Sequence, residues 1–312
     1  MRSVFPQFNT TGENGAPQQQ DANECLTELL RILQQKLPKV DSAGTSSSFN
    51  PKSLIDQYFG GEFTAIMKCD ESTDELPVSS KETFLQLSCF ISQDVKYLHT
   101  GLKLRLEEHL MKHSTSLNRD AMYTKKSRIS RLPAYTCVQL VRFYYKEKEK
   151  VSAKVLKDVK FPLVLDVFDL CTEELQKKLV PYRECFRIQD EENNLAKKAK
   201  KLEELKPNSD PSKVHENKLV KEEISYAPYS FENDLGSNNS GYYDLIAVLT
   251  HKGRSSNSGH YVGWAKNEKT NAWHMYDDED VSPVGEEEIL KLSGGGDWHT
   301  AYVSSIFISN FL

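Results

Sequence analysis

The segment from residue 242 to 308 places the strongest constraint on the fold of this chain. Short runs of alternating apolar and polar residues, rich in β-branched and aromatic types, are separated there by turns containing Gly, Ser and Asn. Such spacing is typical of strands that pair as neighbours in one antiparallel sheet. The predicted strands are Tyr242–Thr250, His260–Ala265, Ala272–Tyr276 and Tyr302–Ile308.

The rest of the chain mixes helices with further strands. Apolar residues between Gln20 and Leu37 recur at helical spacing, and Pro38 ends the pattern. A second helix is predicted along the leucines from Leu98 to Leu110. Further strands are predicted at Glu62–Cys69, Thr83–Ile91 and Tyr135–Tyr145. The sequence therefore predicts an α+β fold.

Two segments are not expected to pack. Residues 41–53 are rich in Ser, Gly and Thr, which favours a flexible loop. Residues 189–223 combine many lysines with acids and amides and contain two prolines, which favours a charged, flexible insertion. The alternative for this second segment is a docking element that becomes ordered on a partner.

Bulk properties exclude several functional classes. Over 312 residues, 38% are hydrophobic and no apolar run is long enough to span a membrane. A net charge of -5 without a basic stripe argues against nucleic acid as the main partner. The six cysteines would permit disulfides, but a chain of this length and core content does not need them, so we expect free thiols. No two of them form a CxxC pair, so we expect no metal site. Without a recognisable targeting segment, a cytoplasmic location is expected, with the nucleus as an alternative.

One histidine is placed for acid–base chemistry. A Ser/Gly-rich loop precedes His260, which opens a strand and therefore lies at the rim of the predicted sheet. Imidazole titrates near neutrality, and a carboxylate on an adjacent strand, such as Asp277, would fix its tautomer. Taken alone, His260 is more simply interpreted as a structural or surface histidine.

The residues around His260 carry a family resemblance. Tyr243-Asp-Leu-Ile-Ala-Val-Leu-Thr-His-Lys-Gly253, Gly259-His-Tyr261 and Trp273-His-Met-Tyr-Asp-Asp278 resemble the histidine box of the ubiquitin-specific proteases, peptidase family C19. Gln19-Gln-Asp-Ala-Asn-Glu24 and Gly294-Gly-Gly-Asp-Trp-His-Thr-Ala-Tyr302 are similar to two other boxes of that family. The resemblance makes His260 the general base and Asp277 the residue that orients it.

The same resemblance implies a fold and a function. The fold would be the papain-like cysteine protease fold of this family, with palm, fingers and part of a thumb, over residues 1–312. The activity would be thiol-dependent hydrolysis of ubiquitin isopeptide bonds, without a cofactor. Ubiquitin and ubiquitinated proteins are the implied partners. The proteasome is a further one, through a ubiquitin-like domain that these residues do not contain.

Further site residues follow from the resemblance. The ubiquitin tail would be bound by Gln20, Asp21, Gly259 and Tyr261. Loops over the cleft would include Ser255, Ser256, Asn257 and Ser258 and the segment 233–241. The simpler alternatives are that Asp21 only complements a helix dipole and that both loops are solvent-exposed turns.

The nucleophile is the missing part of this pattern. The family carries its cysteine in a Gly-Asn-Thr-Cys-Tyr-like box upstream of the Gln-Gln-Asp box, and no cysteine here has that context. Cys25 is predicted to pack in a core. Cys69 and Cys89 occupy the region where many relatives hold zinc, but without CxxC pairs. We therefore expect a chain that begins after the cysteine box and is inactive as written; the alternative function is a ubiquitin-binding scaffold.

Overall fold

The computed structural model describes residues 5–9, 11, 15, 20–40, 49–146, 151–204, 229–255, 258–267, 269–296 and 298–309. The helices in these ranges are α1 (Ala22–Lys36), α2 (Leu54–Phe59), α3 (Leu98–Arg105), α4 (Glu173–Glu204) and α5 (Glu286–Leu290). The strands are β1 (Gly61–Cys69), β2 (Val78–Phe84), β3 (Leu87–Phe90), β4 (Glu107–Ser114), β5 (Arg119–Arg131), β6 (Tyr135–Val141), β7 (Phe143–Lys146), β8 (Val151–Lys154), β9 (Val164–Asp166), β10 (Tyr242–Ser255), β11 (Ser258–Lys266), β12 (Trp273–Asp277), β13 (Asp280–Val284) and β14 (Thr300–Ser309).

An eight-stranded sheet forms the centre of the fold. Its order is β13-β12-β11-β10-β14-β6-β3, and β9 pairs with β10 beside this path. The four strands predicted between residues 242 and 308 are confirmed as β10, β11, β12 and β14, all joined by antiparallel pairs. The main core packs on this sheet and includes Trp273, Leu245 and Ile289, each at most 2% exposed. The predicted α+β class is confirmed.

A second sheet of four strands, ordered β2-β1-β5-β4, corresponds to the expected fingers. The predicted helix along Leu98–Leu110 is wrong in its second half, because α3 ends at Arg105 and residues from Glu107 onward form β4. Pairing of β4 with β5 over eight residue pairs outweighs the helical spacing of the leucines. The predicted strand Thr83–Ile91 is likewise divided between β2 and β3, which belong to different sheets.

The tip of the fingers is held by one carboxylate. Glu75, in the β1–β2 connection, accepts hydrogen bonds from Ser114 Oγ (2.5 Å), Tyr123 OH (2.5 Å), Ser116 Oγ (2.9 Å) and Ser116 N (3.0 Å). These bonds, led by that from Ser114, lower the pKa of the Glu75 carboxyl to about 2. Cys69 is buried at the same tip. Cys89 lies on β3 of the other sheet, so these two cysteines do not share one region.

A buried arginine joins the strands near one end of the large sheet. The predicted strand Tyr135–Tyr145 is interrupted at Arg142, which is fully buried. Its guanidinium donates to four backbone carbonyls, those of Ala301 (2.6 Å), Lys157 (2.7 Å), Ser293 (2.7 Å) and Val155 (3.1 Å). Burial lowers its pKa to about 10, so the group remains charged at neutral pH. The start of β14 is thereby fixed against the segments around it.

Most of the segment 233–241 is buried. Within this segment, the four residues Ser237–Ser240 are at most 1% exposed. The side chain of Asn238 makes hydrogen bonds to backbone groups that strand pairing does not satisfy. Its Oδ1 accepts from the amides of Ser240 (2.9 Å) and Gly241 (2.8 Å), and its Nδ2 donates to Tyr242 O (2.8 Å). Short polar side chains that bond nearby backbone groups allow such a loop to be buried. The expectation of an exposed turn is therefore wrong for residues 236–241, whereas Asn233 is exposed.

The two segments predicted to be flexible are only partly described. Phe49 and Ser53, from the predicted loop 41–53, contact the folded part: Arg131 Cζ lies 4.0 Å from the Phe49 ring centroid, and Ser53 caps α2. Residues 41–48 lie outside the described residues. Of the predicted insertion 189–223, residues 189–204 continue α4 and residues 205–223 lie outside. No helix in the described ranges is both long and apolar enough to cross a membrane.

The Glu75 cluster generates a pH-dependence prediction. Because its folded-state pKa of about 2 lies below the value in the unfolded chain, the stabilisation of the fingertip is present at neutral pH and is lost as the pH falls toward 2. We expect a carbon-13 NMR titration to show the Glu75 carboxyl still ionised at about pH 3.5, where ordinary glutamates are mostly protonated. A midpoint near the ordinary glutamate value would contradict the account. Glu75→Gln supplies the assignment and should accelerate amide exchange at Ser116.

Candidate active site

His260 and Asp277 meet at the rim of the large sheet. The Nε2 atom of His260 contacts Oδ1 of Asp277 directly, and Oδ2 of Asp278 lies 3.9 Å from the same nitrogen. A carboxylate can only accept a hydrogen bond, so the contact requires the proton on Nε2 and leaves Nδ1 with the basic lone pair. The side chains are 41% and 34% exposed, so the pair is open to a substrate.

Strand register accounts for this contact. Gly263 is paired with Tyr276 and Trp264 with Met275, so extending the pattern by one pair sets Asp277 opposite Val262. Val262 and His260 share one face of β11, and Asp277 therefore points to the face that carries His260. The predicted hairpin between His260–Ala265 and Ala272–Tyr276 is present. At the far end of β12, Asp278 adopts a positive φ of 50° in the turn to β13, which aspartate tolerates.

A second group of side chains lies on the opposite face of the sheet. Asp21 caps α1, its Oδ1 accepting from the amides of Asn23 (2.7 Å) and Glu24 (3.3 Å), and its Oδ2 accepts from Tyr302 OH. Burial, assisted by Asp21, raises the pKa of Tyr302 above its usual value. The N-terminus of α1 is thereby attached to β14. Gln20, which precedes the cap, is half-buried.

His251 is buried at the centre of this second group. Its ring lies edge-on to Phe143 and Tyr261, with centroids 5.3 and 4.8 Å apart, and it is 0% exposed. Lys154 Nζ lies 3.3 Å from Nδ1 and donates to the His251 carbonyl at 2.6 Å. An ammonium has no lone pair, so Nδ1 must accept and the ring is the neutral Nε2–H tautomer. Burial, and then the charge of Lys154, lower the pKa of His251 to about 4.

Gly259 lies directly against the ring of His251 and precedes His260 in β11. Its φ is +148°, and a Cβ on it would lie 2.3 Å from His251 Nε2. Only glycine fits this backbone and this contact. The predicted tail residues Asp21, Gly259 and Tyr261 are therefore brought together around His251. Of the predicted cleft loop, the backbones of Ser255 and Ser258 are paired, while Ser256, Asn257 and the four side chains of that loop lie outside the described residues.

No cysteine sulfur belongs to the cluster at His260 among the described residues. All six are free thiols. Burial raises the pKa of Cys89 to about 11 and of Cys171 to about 12, and it also raises that of Cys25 in α1. Such thiols stay protonated at neutral pH, which opposes nucleophilic attack. Within the part of the chain that the structure describes, the ligand-type side chains clustered at His260 are two carboxylates, Asp277 and Asp278.

Two residues that lie beside the predicted tail residues, His251 and Lys154, were not predicted from the sequence. His251 had a detectable signal, because it stands at a strand end in His251-Lys-Gly253 and faces Tyr261 across the loop. Lys154 lies about a hundred residues upstream in a short strand, and its sequence context carries no sign of that contact.

Comparisons with known proteins agree with this geometry. The family model described as "Ubiquitin carboxyl-terminal hydrolase" matches residues 1–304. Ubiquitin carboxyl-terminal hydrolase 14 of Caenorhabditis elegans is 42% identical over 97% of this chain and 56% of the relative. Ubiquitin carboxyl-terminal hydrolase 6 of Arabidopsis thaliana is 41% identical over 97% of the chain and 61% of the relative. The chain thus spans less than two thirds of the length of these relatives.

A solved structure shows the same fold. The structure described as the SAGA Ubp8/Sgf11/Sus1/Sgf73 DUB module bound to ubiquitin aldehyde superposes with a TM-score of 0.58 at 19% identity. The match covers 96% of this chain and 51% of that one. This likeness shows the fold, and the family model that matches residues 1–304 shows the family: the protein belongs to the ubiquitin carboxyl-terminal hydrolases.

Proposed function

We propose that this chain carries the imidazole and carboxylate of a thiol-dependent deubiquitinase, which hydrolyses isopeptide bonds formed by the C-terminus of ubiquitin. The observation that carries the proposal is the contact of His260 Nε2 with Asp277. It leaves Nδ1 of an exposed histidine available to exchange a proton with a thiol.

The reaction would use this pair twice. Nδ1 takes the thiol proton, the thiolate attacks the ubiquitin glycine carbonyl, and the imidazolium then protonates the leaving lysine amine. Water, deprotonated by the same nitrogen, releases the acyl-enzyme. Asp277 holds the ring in the required tautomer and stabilises the imidazolium. The scheme requires a thiol beside His260 Nδ1, and none of the described cysteines belongs to the cluster at His260.

The ubiquitin tail would lie on the opposite face, over Asp21, Gly259 and Tyr261. A carboxylate accepts about four hydrogen bonds, and Asp21 already accepts three. One lone pair of Asp21 therefore remains for a backbone amide of an extended peptide. The half-buried aromatic ring of Tyr261 offers an apolar wall to the same peptide.

A ubiquitin-binding scaffold is the second candidate function. It is favoured by one observation, that the cluster at His260 contains no thiol among the described residues. Both candidates use the same ubiquitin surface and differ only in chemistry. The partners proposed for either are ubiquitin and ubiquitinated proteins, at the proteasome in particular.

Asp21→Asn tests the tail site without removing the helix cap, because Asn caps a helix as well as Asp does. We expect about tenfold weaker ubiquitin binding by calorimetry, equivalent to about 1.4 kcal/mol, since the anionic acceptor is lost. With ubiquitin lacking its C-terminal residues, parent and variant should bind equally. Asp74→Asn, an exposed change at the fingertip, is the matched control. Unchanged binding of Asp21→Asn to intact ubiquitin would contradict the tail site.

A ubiquitin probe with an electrophilic C-terminus tests whether a cysteine of this chain acts as the nucleophile. For the 312-residue chain we expect reversible, tail-dependent binding without a covalent adduct, as judged by intact mass, because its thiols are misplaced or protonated. Cys185 is exposed and can react outside the site, so Cys185→Ser is the control. An adduct that survives in Cys185→Ser and disappears in His260→Ala would show that one of the other five cysteines is the nucleophile.

A further inference from the structure

We propose that Trp298 and Lys252 form a leaving-side surface, which binds the polypeptide whose lysine is joined to ubiquitin. This inference rests on the proposed function, because it names where the second half of that substrate lies. It adds a recognition surface for the conjugated protein to the site for the ubiquitin tail.

Trp298 is an unusual side chain for the surface of this protein. The chain has three tryptophans; Trp264 and Trp273 are 6% and 2% exposed, whereas Trp298 is 63% exposed. Lys252 Nζ lies 5.3 Å from the centre of its indole ring, a cation–π contact that helps to hold the ring in place. Exposed, oriented tryptophans are frequent anchors of binding surfaces because they offer a large apolar area at little entropic cost.

Strand geometry places this surface next to His260 and away from the tail residues. Lys252 and His260 are direct partners across β10 and β11, and His251 and Tyr261 are the next pair. Successive pairs point to opposite faces of a sheet. The face of His251 carries Tyr261 and contacts Tyr302, and the face of Lys252 carries His260 and contacts Trp298.

A substrate path follows from this arrangement. The ubiquitin tail lies along the His251 face and its last carbonyl must reach His260 at the rim. The lysine side chain that is joined to this carbonyl, and the polypeptide that carries the lysine, then continue onto the face of Trp298. His299 packs between the two tryptophans of this face, its ring 5.3 Å from Trp298 and 6.1 Å from Trp264, which gives the surface a rigid base.

Charge at the rim fits the same occupant. The leaving amine becomes a cation once it is protonated, and Asp278, 81% exposed and 3.9 Å from His260 Nε2, adds negative charge to the same rim. The aliphatic part of a lysine and its apolar neighbours suit an indole ring. A polypeptide with apolar residues around the conjugated lysine is therefore the preferred ligand.

Tryptophan fluorescence provides a direct test, since Trp298 is the exposed one of the three. The ligands are ubiquitin alone and ubiquitin joined by a non-hydrolysable isopeptide mimic to the lysine of a short peptide, with either leucines or serines beside it and no tryptophan. We expect the leucine conjugate to protect Trp298 from acrylamide quenching and to bind about fivefold more tightly than ubiquitin alone. The serine conjugate should gain less.

Trp298→Ala should remove the advantage of the leucine conjugate and leave the affinity for ubiquitin alone unchanged. Leu104→Ala, an exposed apolar change on α3, is the matched control and should keep the advantage. Equal binding of conjugate and free ubiquitin by the parent chain, or protection of Trp298 by free ubiquitin, would overturn the leaving-side surface alone. Failure of every ligand to bind the parent chain would overturn the proposed function as well.

Discussion

The pairing of β11 with its two neighbours is the constraint on which the site depends. This strand carries His260 and Tyr261 on opposite faces, so one register orients both groups of the proposed site. A slip by one residue would turn His260 away from Asp277 and Tyr261 away from His251. The register is supported on the core side by Val262 and Trp264, which are buried in the same strand. The geometry of the proposed acid–base pair and the packing of the core are thus specified by the same backbone hydrogen bonds.

The two faces place their histidines in opposite electrostatic settings. His260 is 41% exposed and lies beside two carboxylates, those of Asp277 and Asp278. His251 is fully buried beside an ammonium, and its pKa falls to about 4. A neutral ring below Gly259 adds no competing charge to the rim. Two similar side chains nine residues apart therefore lie in different surroundings, which suit them to the different roles that we propose.

Much of this arrangement could be predicted from the sequence, because strand alternation and glycine-rich turns are local signals. They located the strands of His260 and Asp277 and the α1 helix that Asp21 caps. Contacts set by long-range pairing were not predictable in this way. Leu110 of β4 continues the helical leucine spacing of α3, but β4 pairs with β5. The segment 237–240 is polar, but it is buried, with hydrogen bonds that only the tertiary structure supplies. The contact of Lys154 with His251 likewise depends on where the β7–β8 hairpin docks.

The protonation of the two ring nitrogens of His260 tests the central claim most directly. Nitrogen-15 NMR at a pH where the ring is neutral should show the proton on Nε2 and a lone pair on Nδ1, since Asp277 accepts from Nε2. In Asp277→Asn this preference should weaken, because an amide oxygen accepts less strongly than a carboxylate. A proton found on Nδ1 in the parent chain, or a tautomer unaffected by Asp277→Asn, would contradict the assignment of this pair as the acid–base centre.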